Sequence, residues 1–251
     1  MKASIITIGD ELLIGQVVDT NSAWMAQRLN EAGIALHQIT SVHDDREHIL
    51  TALDEAFSRA DIVLTTGGLG PTKDDITKHV MCEYFGTKLV EDLQVRAHIH
   101  ELYKDRPDAL NRLTATQWLV PESATILPNR VGSAPIMVFN ESKVESLKSK
   151  VNETSEAVSP DFKHSTLDIQ LQKILIALPG VPHEMKIAMT EQVLPFISKF
   201  IIQNSKSCTA RFLSMVFQNP NSLFSSKTGR MHFLLLSTLL TYPRMVLFVC
   251  V

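Results

Sequence analysis

The stretch DIVLTTGGLGPTKDDIT, residues 61–77, decides the fold class. Its first six residues form a compact apolar run, which predicts a buried strand, and a glycine-rich loop follows at once. The residues after this loop, from Asp75 to Phe85, have the composition of a helix. A strand, a glycine loop and a helix in this order are typical of α/β proteins with a mostly parallel sheet.

The alternation of strands and helices continues on both sides of this stretch. We predict strands at residues 4–8, 34–42, 61–66, 124–127, 136–139 and 173–178. We predict helices at residues 22–32, 46–60, 75–85, 91–103 and 108–119, and a last one after residue 181 with a buried stripe of Met185, Met189, Val193, Ile197 and Phe200. The pattern predicts a three-layer α/β/α domain over residues 1–203, in which ligands bind beyond the carboxyl ends of the strands.

The overall composition is that of a globular protein. Of the 251 residues, 45% are apolar and 20% are charged, which excludes a mostly disordered, collagen-like or disulfide-scaffold protein. The net charge of −3 gives no electrostatic reason to expect a nucleic-acid partner. The three cysteines form no C-x-x-C pair, so neither a zinc ribbon nor a redox pair is indicated. The amino terminus predicts a strand rather than a signal peptide, so we expect a cytoplasmic protein.

Two segments depart from the domain pattern. Residues 140–172 are charged and serine-rich, and we interpret them as an inserted surface loop, with a functional lid as the alternative. Residues 205–251 contain five basic and no acidic residues. We consider an apolar span from residue 232, a pair of strands, or an out-of-frame translation that begins near residue 204. We expect no membrane partner, because Arg244 in mid-span would cost about 2.5–3.5 kcal/mol.

The loop after the strand at residues 61–66 is the strongest candidate ligand site. Backbone N–H groups in such a loop, together with a helix N-terminus, suit a phosphate. The loop supplies the expected ligand contacts Thr66, Gly67, Gly68, Gly70, Pro71 and Thr77. Because Asp74 and Asp75 would repel a bare phosphate, we expect a divalent cation, held by Asp75. The alternative is that Asp74 or Asp75 only caps the helix.

A second candidate segment follows the first predicted strand and reads GDELLIG, residues 9–15, then DTNS, residues 19–22. Asp10 and Glu11 are candidates to bind a metal or a sugar hydroxyl, and the alternative is that they are polar turn residues. Thr20 or Asn21 is expected to cap the next helix. These side chains belong to the same sheet edge as the glycine loop.

Two further segments follow predicted strands. In VHDDR, residues 42–46, Asp44 is a candidate site residue, and the alternative is a helix cap by Asp44 or Asp45. In LPGVPHEM, residues 178–185, Pro182 suits the first turn of a helix and Glu184 complements its dipole. We interpret His183 as a polar contact rather than a metal ligand.

Taken together, GDELLIGQVVDTNS, VHDD, TTGGLGPTKDDIT and LPGVPHEM resemble the MoaB/MogA-type molybdopterin-binding domain, and most closely the amino-terminal domain of the CinA family. The resemblance covers about residues 1–140 and 173–200 and implies a three-layer α/β fold and a homo-oligomer. In the MogA branch the domain binds molybdopterin and adenylylates it, and the acids important there match Asp44 and Asp75. The implied ligand is a small nucleotide or pterin.

In the CinA branch, the resemblance implies ADP-ribose pyrophosphatase activity aided by a divalent metal (Mg, Mn or Co) and by potassium. The expected catalytic residues are Asp44, Asp74 and Asp75. The expected ligand contacts are Asp10, Glu11, Asn21, Ser133, Ala134, Pro179, Gly180, Pro182 and Glu184, beside those of the glycine loop. A non-catalytic pterin- or nucleotide-binding module is the second function class.

The chain departs from the family pattern at three places, of which the insertion at residues 140–172 is tolerable in a surface loop. Ile136 stands where the family loop G-x-A-P-G-M has its second glycine, and we expect this β-branched residue to restrict a loop near the ligand. The resemblance ends near residue 203, so the amidase activity of a separate CinA domain is not expected.

Overall fold

The computed structural model describes residues 1–70, 76–105, 116–140 and 172–205. Pro71, Asp74 and Asp75 lie outside these ranges, as do the tail from residue 206 and all of the predicted insertion except Asn140 and Gln172. Of the described residues, 196–205 belong to a second compact unit and the others to the first. Across the described ranges, none of the helices combines the length and the apolar character that a membrane crossing requires.

In chain order, the strands are β1 (Lys2–Ile8), β2 (Ala35–Val42), β3 (Ile62–Thr66), β4 (Leu89–Glu91), β5 (Leu119–Pro121), β6 (Thr125–Leu127), β7 (Ile136–Asn140) and β8 (Ile174–Leu178). The helices are α1 (Asp10–Leu13), α2 (Thr20–Glu31), α3 (Arg46–Arg59), α4 (Thr77–Tyr84), α5 (Leu93–Leu102) and α6 (Pro182–Ala188). A π-helical turn, Met189–Val193, follows α6, and residues 194–205 are helical again.

Six strands form one mixed sheet in the order β2-β1-β3-β8-β7-β6. The first four are parallel, β7 is antiparallel to β8, and β6 is antiparallel to β7. All residues of β3 and β8 are buried, which explains their uninterrupted apolar runs, since inner parallel strands are covered on both faces. The predicted α/β class with a mostly parallel sheet is confirmed.

Helices cover both faces of the sheet. On one face, Ile49, Leu53 and Phe57 of α3 join a buried cluster that also contains Phe85 and Phe139. The rings of Phe85 and Phe139 stack with centroids 4.4 Å apart. The residues of the central strands that point to the opposite face are equally buried. Helices α2 and α6 contact each other. The predicted stripe of Met185, Met189, Val193, Ile197 and Phe200 is buried, as its spacing indicated.

The predicted helix at residues 108–119 is wrong where it can be compared. Residues 106–115 lie outside the described ranges, Thr116–Trp118 is a single 3-10 turn, and Leu119 begins β5. The short strand β5 pairs with β4, and its Val120 packs in a small cluster with Val95 and Ile99 of α5. This long-range packing outweighs the local helical preference of the segment.

Ile136 also lies elsewhere than expected. It is the first residue of β7, pairs with Leu127 of β6 and is fully buried. It does not belong to the residues that line the cleft described below, whereas Ser133 and Ala134 do. The expectation that Ile136 restricts a loop beside the ligand is therefore wrong, because the chain has already entered the sheet at this position.

Candidate functional site

The sheet has a topological switch between β1 and β3. The chain leaves β1 and returns on one side as β2, then crosses back to place β3 on the other side of β1. Loops that leave neighbouring parallel strands in opposite directions open a crevice at the carboxyl ends of those strands, where ligands of open α/β sheets bind. The loops after β1, β2, β3 and β8 all lie at this edge.

A cleft of about 710 Å³ occupies this edge. Its volume lies in the range of roughly 300–1,000 Å³ that small-molecule sites occupy. Fourteen of the residues named from the sequence line it: Asp10, Glu11, Asn21, Asp44, Thr66, Gly67, Gly68, Gly70, Ser133, Ala134, Pro179, Gly180, Pro182 and Glu184. The structure thus brings four separate sequence segments, and the loop before β7, around one space.

Glycine is required where the ends of three strands meet. Gly67 has φ +105°, and a Cβ built on it would lie 2.0 Å from the carbonyl oxygen of Ile8 at the end of β1. A Cβ on Gly180, after β8, would lie 3.2 Å from the Cα of Gly67. A side chain on Gly67 would strike the backbone of β1, and one on Gly180 would fit only tightly, so these glycines let the three strand ends approach closely.

Thr77 has a supporting position rather than a place in the cleft wall. It is the first residue of α4, it is fully buried, and it is absent from the residues that line the cleft. A Cβ on Gly68, which has φ +62°, would lie 2.0 Å from Thr77 Oγ1. Thr77 therefore lies against the backbone of Gly68, and its expected role as a ligand contact stays a prediction.

Asn21 ties the loops of β3 and β8 together. Its Nδ2 donates to the carbonyl oxygen of Gly180 at 2.7 Å and to Thr66 Oγ1 at 3.4 Å. Thr66 Oγ1 in turn donates to the carbonyl oxygen of Pro179 at 2.8 Å. The expected cap of α2 by Thr20 or Asn21 is wrong, because Asp19 accepts from the Ser22 amide at 2.9 Å and performs that function.

Asp10 and Glu11 do not lie in a simple turn but open the one-turn helix α1. Asp10 Oδ1 accepts from His43 Nδ1 at 2.8 Å and from the Asp44 amide at 3.3 Å. These donors stabilise the ionised carboxylate, so the pKa of Asp10 lies below its ordinary value, chiefly because of the bond from His43. His43 was not singled out from the sequence, although a histidine beside two acids at a strand end was a usable signal.

Asp44 and Asp45 have different functions. Asp45 caps α3, since its Oδ1 accepts from the amides of Glu47 and His48 at 2.9 and 3.2 Å. Asp44 instead lines the cleft, with its Oδ1 buried and 3.4 Å from a Cβ built on Gly68. The cap alternative therefore applies to Asp45, and Asp44 faces the glycine loop.

Glu184 is held by an asparagine that the sequence analysis missed. Asn129, which is almost fully buried, donates to Glu184 Oε2 at 3.0 Å and to the carbonyl oxygen of Ala134 at 2.8 Å. Its Oδ1 accepts from the amides of Val131 and Gly132, both at 3.2 Å. The signal for this residue was the Asn with a Gly three positions later, a pattern typical of a side chain that organises its own loop.

Gln117 is a third residue that the sequence analysis missed, and it lines the cleft. It is 1% exposed, and its Nε2 donates to the carbonyl oxygen of Leu69 in the glycine loop at 3.2 Å. The buried Lys78 of α4 donates to the carbonyl oxygens of Gln117 and Leu119 at 2.9 and 3.1 Å. No local sequence signal marks Gln117, because only the pairing of β4 and β5 brings its turn to the glycine loop.

The cleft is rich in hydrogen-bond acceptors. Five of its described lining residues carry carboxylates, namely Asp10, Glu11, Asp19, Asp44 and Glu184, and none of the described ones is a lysine or an arginine. The Gly67 amide donates to the carbonyl oxygen of Leu178 at 3.4 Å, so this N–H is already used in a hydrogen bond to β8. In the described part of the chain, the Gly68 and Leu69 amides have no such acceptor. A polyphosphate would bind here only together with a cation, because the carboxylates would otherwise repel it.

The described residues fit a divalent cation that is shared with a bound substrate, rather than one that protein ligands alone enclose. They contain no group of three or more His, Cys, Asp or Glu placed to hold a metal ion. Mg²⁺ is usually held by one or two carboxylates together with substrate phosphates and waters, rather than by an all-protein cage. The half-buried Asp44 carboxylate in the cleft wall fits that mode, whereas a structural metal site does not fit these residues.

Comparison with known proteins agrees with this architecture. Residues 4–199 match the family described as "Probable molybdopterin binding domain". A CinA-like protein from Flavobacterium psychrophilum is 40% identical over 204 residues, or 80% of this chain, and one from Cytophaga hutchinsonii is 41% identical over 184 residues, or 73% of this chain. The matched regions are 41% and 37% of those two proteins, so the chain spans less than half of their length.

A solved CinA structure matches this chain over almost all of the solved chain's length. The crystal structure of CinA from Thermoplasma acidophilum superposes with a TM-score of 0.58 and 30% sequence identity, over 75% of this chain and 94% of that one. The family match covers most of the chain and includes the segments around the cleft. The chain therefore belongs to the molybdopterin-binding domain family and, within it, to the CinA-like proteins.

Proposed function

We propose that the chain is a metal-dependent pyrophosphatase that hydrolyses ADP-ribose to AMP and ribose 5-phosphate. The observation that carries the proposal is the arrangement of Asp44 opposite the Gly68–Gly70 loop in one cleft. The cleft combines amide donors for phosphate with carboxylates that need a cation when phosphate is bound. The resemblance of the sequence motifs to the CinA branch motivates the choice of substrate, and the residues of the cleft support the proposed chemistry.

In the proposed reaction, water attacks one phosphorus of the pyrophosphate. The new P–O bond forms as the bridging P–O bond breaks, and the bridging oxygen leaves with the other phosphate. The Gly68 and Leu69 amides donate to the phosphate oxygens. Asp44 orients the water and accepts the proton that the water loses as the new P–O bond forms, and this proton then passes to the solvent. A bound Mg²⁺ would neutralise charge on the phosphates. Asp75, and Asp74 beside it, remain predicted partners of Asp44 and lie outside the described residues.

The test follows ADP-ribose by phosphorus NMR with the full chain and Mg²⁺. We expect signals of AMP and ribose 5-phosphate with the wild type. Asp44→Asn should lower kcat by about 100-fold or more, because a positioned acid–base group typically contributes 10²–10⁴-fold. Exchange of potassium for sodium tests the expected potassium requirement.

A matched control is available in the adjacent residue. Asp45→Asn removes the same charge one position away but keeps the cap of α3, since asparagine caps helices about as well as aspartate. Its activity should stay within about twofold of the wild type. A folded wild type without turnover, or equal losses in Asp44→Asn and Asp45→Asn, would contradict the pyrophosphatase proposal.

A second candidate is a pterin-binding domain related to molybdopterin adenylyltransferases. The match of residues 4–199 to a family described as molybdopterin-binding favours it. The acceptor-rich cleft also suits a ligand with several N–H donors. Quenching of pterin fluorescence on titration with the protein, without ADP-ribose turnover, would favour this candidate.

We also propose that the chain forms a homo-oligomer. Light scattering of the purified protein measures its oligomeric state directly.

A further inference from the structure

The carbonyl oxygen of Leu69 is held by a side chain from a distant segment. Gln117 Nε2 donates to this oxygen at 3.2 Å, and Gln117 is 1% exposed although it lines the cleft. The bond is buried, which shields it from competition by water. The glycine loop therefore receives one of its restraints from outside its own stretch of sequence.

The turn that carries Gln117 is itself restrained. Lys78 Nζ donates to the carbonyl oxygen of Gln117 at 2.9 Å, and the carbonyl oxygen of Trp118 accepts from the Asp92 amide at 3.0 Å. The guanidinium carbon of Arg96 lies 5.4 Å from the centre of the Trp118 ring. These contacts fix the position from which the Gln117 side chain reaches the loop.

The bond from Gln117 acts on a peptide group that packing alone does not orient. The side chain of Leu69 is 2% exposed within the core cluster, and Gly68 lies against Thr77. These contacts hold the backbone as far as the Leu69 Cα. The next peptide group, between Leu69 and Gly70, can rotate at low cost, because glycine accepts positive as well as negative φ. A hydrogen bond to the Leu69 oxygen selects one orientation of this group.

Gln117 makes only a small net contribution to stability. Its Nε2 is paired, but its Oε1 is buried and has no hydrogen-bond partner in the part of the chain that the structure describes. A buried acceptor without a donor costs at least as much as one hydrogen bond gains. A methionine here would remove this oxygen and leave the Leu69 oxygen unpaired instead, so the count of unpaired acceptors would not change. The bond is therefore better suited to orienting the loop than to stabilising the fold.

We propose that Gln117 is a positioning residue for phosphate binding at the glycine loop. It holds the Leu69 carbonyl oxygen and so prevents the Leu69–Gly70 peptide group from turning this oxygen toward a bound phosphate. A carbonyl oxygen carries partial negative charge and would add to the repulsion from Asp44 and the other cleft carboxylates. The inference rests on the proposed binding of a pyrophosphate in the cleft and names the residue that prepares the loop for it.

Calorimetric titration of the full chain with pyrophosphate and Mg²⁺ tests the inference. Gln117→Met keeps the approximate length of the side chain but removes the donor. It should weaken pyrophosphate binding by about tenfold or more, the scale of a hydrogen bond to a charged group, and leave the midpoint of urea unfolding close to that of the wild type. Gln94→Met is the control, because Gln94 is an exposed residue of α5, and its affinity should not change.

Gln117→Glu makes the donor depend on pH. A neutral carboxyl group can donate to the Leu69 oxygen, whereas a carboxylate only accepts. Relative to the wild type at the same pH, we expect pyrophosphate affinity within about twofold at about pH 5 and a growing loss toward about pH 8. A side chain that only filled space would give no such recovery at low pH. This series keeps the inference testable even if Gln117→Met does not fold.

The outcomes are distinct. Equal pyrophosphate affinity of the wild type and Gln117→Met, a Gln117→Glu variant that is weakened as much at about pH 5 as at about pH 8, or no binding of pyrophosphate by the wild type would overturn the inference. Binding that depends on Gln117 without hydrolysis of ADP-ribose would contradict the pyrophosphatase proposal and leave this inference intact. Hydrolysis of ADP-ribose with no effect of Gln117→Met would do the reverse.

Discussion

Asp10 Oδ1 lies 2.8 Å from Nδ1 of His43, and this bond joins α1 to the loop after β2. Both segments contribute residues to the cleft wall, so the pair holds two of its sides together. The bond favours the ionised carboxylate, and the pKa of Asp10 consequently lies below the ordinary value of 3.8. A carboxylate with a lowered pKa contributes stability above its unfolded pKa and loses it as the pH falls through its folded pKa.

Replacement of His43 with alanine should therefore raise the pKa of Asp10 toward 3.8. It should also flatten the pH dependence of the free energy of unfolding below about pH 4, where Asp10 titrates. Carbon NMR of the Asp10 carboxyl group and urea unfolding at several pH values measure both effects. His48→Ala is the control, because the His48 ring lies 5.4 Å from that of His43 and gives Asp10 no hydrogen bond in the described residues. An unchanged Asp10 pKa in His43→Ala would contradict the prediction.

Gly67→Ala should lower the free energy of unfolding by about 2–3 kcal/mol, the scale of a strained backbone conformation that clashes with its surroundings. The reason is the combination of φ +105° with a Cβ position 2.0 Å from the carbonyl oxygen of Ile8. Gly15→Ala is the matched control, because Gly15 also has a positive φ, +75°, but no atom within 4 Å of its Cβ position. Its cost should be about 1 kcal/mol. Equal losses in urea unfolding would show that backbone strain, and not contact with β1, requires the glycine.

Asn129→Ala should cost about 2–4 kcal/mol of stability. The substitution leaves the Val131 and Gly132 amides, the Ala134 carbonyl and Glu184 Oε2 without their partner, and each buried unpaired group costs about 1–3 kcal/mol before relaxation. Asn30→Ala, at an exposed position of α2, should change stability by less than about 0.5 kcal/mol. Thermal and urea unfolding compare the two variants. Equal stability of both would mean that water replaces the Asn129 side chain.

Ile136→Gly, the change that restores the family pattern, should destabilise the protein and not improve ligand binding. Ile136 is fully buried in β7, so the loss combines a cavity, about 2–5 kcal/mol for an isoleucine truncated to alanine, with the weakness of glycine in a strand. Ile136→Val should cost only about 0.5–1.5 kcal/mol. Urea unfolding and ligand titration of the same samples test both statements. Tighter binding by Ile136→Gly would place this residue back in the site.

Most of the candidate site was predictable because it consists of strand ends. The buried strands were visible as apolar runs, and parallel strands deliver their carboxyl ends to one edge. For this reason the sequence alone assigns Asp44, Gly67 and Gly180, which are far apart in the chain, to one cleft. The buried stripe of the helix after β8 was predictable for a similar reason, since helical periodicity is a local property.

The amino-acid sequence by itself determined the α/β class, the order of the main strands and helices, and the glycine and acidic residues at the sheet edge. These features follow from local periodicity and backbone preference. Only the tertiary structure decided that Asp19 caps α2, that Ile136 belongs to a strand, that Thr77 supports Gly68 from below, and that His43, Gln117 and Asn129 hold the cleft wall. Those roles depend on hydrogen bonds and steric contacts between segments distant in the chain, or on competition between neighbouring side chains for one amide. Local patterns mark residues such as His43 and Asn129 as candidates, but they do not say which partner each side chain binds.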